Sequence, residues 1–121
     1  MSALESKSFD EPDEVRPFAA KGEVQMVTLA DSMVSKGRFE PGWRWSEHVK
    51  PIAGTESCQS PHFLYVMSGR MHVAMDDGTT AEAAANQVVR IEPGHDAWVV
   101  GDEPCVVVDF GMSPAYATSG S

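Results

Sequence analysis

His48, His62 and His95 each stand near a turn signal, and Cys58 lies four residues before His62. Imidazole suits Zn, Fe, Ni and Cu, and three imidazoles on one ion leave positions open for water or substrate. Two readings stand side by side. The three histidines converge from different strands in the mouth of a small barrel, or they are ordinary polar residues at strand ends. Spacing does not choose between them, because no HxxxH or CxxC pair sits on one element. Cys58, in the loop 51–61, is a soft fourth ligand or an inert small hydrophobe. Cys105 opens a run of valines and reads as core. His72 alternates with Met71 and Val73, which turns it to solvent. Glu47 and Glu56 read as surface carboxylates. No nucleophile arrangement stands out: GxSxG, P-loop and GxGxxG patterns are absent, and Ser46 beside His48 lacks an evident acid partner.

The elements that must hold these residues are short. Candidate strands at Glu23–Leu29, Val34–Phe39, Gly42–Val49, Phe63–Met67, Arg70–Met75, Thr80–Ala83, Gln87–Ile91, Ala97–Val100 and Cys105–Phe110 are separated by turn residues, the pattern of an all-β domain. Asp77-Gly78 is a strong hairpin signal, since both residues tolerate the positive φ of a tight turn. Ala81 to Asn86 is too short for a stable helix. So many short strands need closure into a barrel or two-sheet roll, which removes exposed edges. On the run 42–50, alternation would put Arg44, Ser46, His48 and Lys50 on one face, opposite Trp43 and Trp45. That polar face meets either a cavity or water. In the cavity case, Arg44 and Lys50 are the candidate binders of an anionic group.

A chain of 121 residues makes one domain with one core. Nine basic against eighteen acidic side chains give a net charge of −9, which argues against nucleic acid and anionic membranes as partners. The apolar runs are far short of the ~20 residues of a membrane helix. The N-terminal stretch has no apolar core of the signal-peptide kind, and two cysteines make no disulfide framework, so a reduced, cytoplasmic setting is expected. Residues 1–17 read as a flexible acidic arm, 18–114 as the barrel and 115–121 as a short disordered tail. Apolar residues on both faces of Phe63–Met67, at Val106–Val108 and at Trp43 and Trp45 exceed what one interior can hide, and predict a homodimer.

The segment from Pro41 to Pro104 resembles the cupin superfamily, whose two motifs are G-x5-H-x-H-x3–4-E-x6-G and G-x5-P-x-G-x2-H-x3-N. Gly42, five residues and His48 match the start of the first motif; His62, six residues and Gly69 match its end, within PHFLYVMSGRMHV. The stretch NQVVRIEPGHDAWVVGDEP is similar to the second motif, with Gly94 as its later glycine and His95 close to its histidine. Lys50 stands where the family has its second histidine, His62 stands where it has its glutamate, and His95 comes two places early. The resemblance implies a double-stranded β-helix (jelly-roll) barrel. It also implies one divalent transition metal (Zn, Fe, Ni or Mn) held by His48, His62 and His95, with Cys58 within reach of the remaining place.

Three functions follow from that resemblance, since the fold alone does not decide among them. One is a metal-dependent enzyme acting on a small anionic molecule by oxygenation, isomerisation or hydrolysis, with no catalytic residue assigned. Another is a non-catalytic binding or regulatory module for a small molecule. The last is a barrel that has lost its metal and serves only for association.

Overall fold

The computed structural model describes residues 4–119. Nine strands lie among them: β1 (Glu14–Pro17), β2 (Gly22–Leu29), β3 (Ser32–Phe39), β4 (His62–Ser68), β5 (Arg70–Met75), β6 (Thr80–Ala84), β7 (Val88–Ile91), β8 (His95–Val99) and β9 (Cys105–Asp109). They form a six-stranded sheet, ordered β1-β2-β3-β9-β4-β7, and a three-stranded sheet, ordered β6-β5-β8. Every pairing is antiparallel. No helix of the described residues is long and apolar enough to cross a membrane.

Period-two alternation decides what the two sheets enclose. Leu64 and Val66 of β4, Cys105 and Val107 of β9, and Ala97 and Val99 of β8 are buried together with Val24, Met71, Val73 and Ile91. The same parity places His62, His95 and Asp109 on the inward rows of β4, β8 and β9, all at one end of the barrel. The outward row of β4 remains uncovered: Phe63 is 50% exposed and Met67 48%, beside Val88 at 65% and Phe110 at 61%.

The segment 42–49 is not a strand. Residues Trp45–His48 form α1 and Lys50–Ala53 form α2, each a single turn. The cause is an apolar row at helical spacing: Trp45, Val49 and Ala53, four residues apart, are each no more than 1% exposed. Burial of that row outweighs the period-two pattern of charges, Pro51 fits the first turn of α2, and Gly54 closes it in the left-handed region at φ 76°. The hairpin expected at Asp77-Gly78 joins β5 to β6, with the Gly78 N–H donating to the Met75 carbonyl at 3.0 Å.

Residues 14–17 and 114–116 meet. Residues 14–17, read from the sequence as part of the arm, pair with β2 as β1. The Arg16 guanidinium donates to the carbonyls of Pro114 and, at 2.7 Å, Tyr116. Tyr116 and Ala117, read as part of the tail, are 3% and 6% exposed. Residues 1–3 of the arm and 120–121 of the tail lie outside the described residues.

Candidate metal centre

Cys58, His62 and His95 come from three separate places and meet at that end of the barrel. One ligand atom from each lies within 4.8 Å of the other two. His62 opens β4 in the larger sheet and His95 opens β8 in the smaller one. Cys58 reaches them because its loop adds a bridge to β8. The Cys58 N–H donates to the His95 carbonyl at 2.8 Å, and the Gly94 N–H donates to the Cys58 carbonyl at 2.7 Å. Gly94 adopts φ 94°, a left-handed conformation open to glycine, and this turns the chain so that His95 points inward.

Both imidazoles are fixed by their outer nitrogens. His62 Nδ1 lies 2.6 Å from Asp109 Oδ2, and His95 Nδ1 lies 2.8 Å from the Glu92 carbonyl. Those acceptors hold the proton on Nδ1 and leave Nε2 bare, the tautomer a metal ligand requires. His62 Nε2 then faces Cys58 Sγ at 3.7 Å. A tetrahedral ion with a metal–sulfur bond of ~2.3 Å and a metal–nitrogen bond of ~2.05 Å separates two such donors by about 3.6 Å. The residues present therefore fit a transition metal in donor type and tautomer, and the Cys58–His62 pair fits it in spacing.

Asp109 is the residue that the sequence reading missed. It is 4% exposed, and its Oδ1 accepts from the N–H groups of Phe63 (3.1 Å) and Gly111 (2.9 Å). Burial alone would raise its pKa, but the hydrogen bond and charge of His62, with those two N–H groups, outweigh it and hold the carboxyl below the usual range. The available signal was parity, because Asp109 continues the inward row of Cys105 and Val107. Burial pushes the Cys58 thiol up to about 12, with Asp109 and Asp96 adding to the rise against a hydrogen bond to Ser60. Without a metal, Cys58 is thus a thiol. Burial likewise lowers His95 to about 4, helped by the neighbouring His62. Tyr116 stands edge-on to the His62 ring, with centroids 5.3 Å apart, and burial raises its phenol well above the ordinary value.

His48 does not join this cluster. The helical turn of α1 folds its ring back on the chain, where Nδ1 accepts from the Arg44 N–H at 3.0 Å. With His48 elsewhere, three protein donors remain where four had been expected. Arg44 and Lys50 are also outside the barrel. Arg44 packs 4.2 Å from the centre of the Trp98 ring and pairs with Asp96, and Lys50 pairs with Glu56, so neither cation lines the cavity. His72 stacks on the smaller sheet's outer face, against Trp98 at 4.8 Å, as its outward parity requires. The cavity at the cluster has a volume of about 40 Å³ and walls that include Trp43, Trp45, Leu64, Met71 and Ile91.

No protein-family model and no curated protein matches this chain. Solved structures do. An RmlC-like cupin from Shewanella frigidimarina aligns over 92% of this chain and 95% of its own, at 19% identity and a TM-score of 0.59. A protein with a double-stranded β-helix domain from Klebsiella pneumoniae aligns over 92% of both chains, at 23% identity and a TM-score of 0.56. The oxalate decarboxylase of Lactobacillus farciminis aligns over 96% of this chain and 35% of its own, at 14% identity and a TM-score of 0.63. The fold is a double-stranded β-helix, shared with these cupin structures.

Proposed function

We propose that this protein is a metal-binding cupin that takes a small molecule inside its barrel, on one divalent transition ion held by Cys58 Sγ, His62 Nε2 and His95 Nε2. The observation that carries the reading is the pair of imidazoles with Nδ1 bound to fixed acceptors and bare Nε2 atoms beside a thiol. One sulfur and two imidazoles favour Zn, Fe or Ni over Mn, which prefers oxygen donors. Three protein donors leave a coordination position for a ligand, the pattern of a reactive rather than a purely structural site. When bound, the ion supplies Lewis acidity to whatever occupies that position.

The chain's own residues do the rest. Asp109 orients His62 and keeps its proton on Nδ1, and the Glu92 carbonyl does the same for His95. Tyr116 and the surrounding side chains give the cluster a mostly apolar wall. Cys58 must lose its proton to bind the metal, so metal uptake releases a proton and strengthens with pH. Loading with Co(II) tests the reading: a thiolate-to-cobalt charge-transfer band should appear and should vanish in Cys58→Ser. An unchanged band in that variant would exclude the thiolate.

A second reading rests on the same cluster without metal. Cys58 Sγ lies 3.7 Å from His62 Nε2, and His62 Nδ1 lies 2.6 Å from Asp109 Oδ2, the order of a thiol nucleophile, a base and an orienting acid. The complete burial of Cys58 and its raised pKa favour the metal site. Iodoacetamide alkylation of Cys58 in chelator-treated protein at neutral pH would favour the nucleophile.

A further inference from the structure

The cavity itself restricts what the metal can receive. Among the described residues its titratable lining consists of Cys58, His62, His95, Asp109 and Tyr116, with no lysine or arginine. Asp109 is the one carboxyl group in that lining, and no cationic side chain stands there to pair with an anion, so the protein would leave an anionic ligand between apolar walls without a counter-charge, whereas an uncharged ligand carries no such cost.

Two further residues of the lining carry a polar group without a partner. Trp43 and Trp45 both line the cavity and are 2% and 1% exposed, and each has a buried indole N–H with no acceptor among the described residues. Trp43 is held against Phe18 and Phe39, with ring centroids 5.6 and 4.5 Å away, which leaves no polar partner on that side. A buried donor without an acceptor costs ~1–3 kcal/mol. The volume of about 40 Å³ is well below the ~150 Å³ of an apolar cavity that holds benzene, so the occupant is smaller than a six-membered ring.

We infer that the barrel takes a small uncharged carbonyl compound (a short aldehyde, ketone or amide) rather than an anion, with its oxygen as acceptor and its alkyl part against the apolar wall. This rests on the metal reading above, and deepens it by naming the ligand class.

Acetamide and acetate have the same shape and differ in charge, which makes them the discriminating pair of probes. Cobalt-loaded protein is titrated with each, and binding is read from the cobalt absorption bands and from tryptophan fluorescence. Acetamide should bind at least ten-fold tighter than acetate, and Trp45→Phe, which keeps a ring but removes the N–H, should weaken acetamide about five-fold or more. Acetate binding as tightly as acetamide, or no response to acetamide, would overturn the ligand class. Unchanged acetamide binding in both Trp45→Phe and Trp43→Phe would remove the indole donors from it. Absence of the thiolate–cobalt band before any probe is added counts against the metal centre alone, and the fluorescence titration then still decides between the two probes.

Discussion

Acidification of the metal-free protein should cost stability through His95 in a defined pH window. The imidazole is buried at 3% exposure, and its pKa falls from 6.5 to about 4 chiefly because burial penalises the charged form, with His62 adding to the fall. Well above pH 6.5 His95 is neutral in both folded and unfolded chains and contributes no pH dependence. Below that value the unfolded chain takes up a proton that the folded chain refuses, so stability falls until about pH 4. Between pH 7 and pH 5 the loss works out at about 2 kcal/mol, from a shift worth ~1.4 kcal/mol per unit. Urea unfolding in the presence of a chelator, at both pH values, measures it. Because His95→Gln retains every other titrating group, the wild type should lose about 2 kcal/mol more than the variant over that interval. Equal losses in the two proteins would refute the burial-driven shift.

Asp109→Asn should preserve the acceptor for the Phe63 and Gly111 N–H groups but release His62 from its tautomer, lowering metal affinity about 10–100-fold with the fold intact by circular dichroism. Trp45→Ala should destabilise the barrel by ~3–5 kcal/mol in urea titration, because it empties one of the largest fully buried side chains. The chain should elute as a homodimer that buries the outward row of β4 with Val88 and Phe110, and Phe63→Glu with Phe110→Glu should convert it to a monomer by light scattering.

The barrel was legible in the sequence because turn residues and period-two runs agree with each other at almost every strand. Phe63–Met67 falls within β4, and Thr80–Ala83 within β6 rather than the helix its alanines suggest. The segment 42–49 was misread because two periodicities overlap there. The charged residues alternate, while Trp45, Val49 and Ala53 repeat every four residues, and the larger buried area prevails. That single error moved His48, Arg44 and Lys50 to the wrong place together. His62, His95 and Cys58 were visible as candidates because their turns were visible. Asp109 was not, since its partner lies 47 residues away in sequence and only the pairing of β4 with β9 brings them together.

Metal stoichiometry across single variants tests the proposed centre most directly. Protein purified without a histidine tag is analysed for bound transition metal as wild type and as Cys58→Ser, His62→Ala, His95→Ala and His48→Ala. One ion per chain is expected in the wild type and in His48→Ala, with a sharp loss in the other three. Full occupancy after removal of His62 or His95, or a loss in His48→Ala equal to theirs, would contradict the Cys58–His62–His95 site.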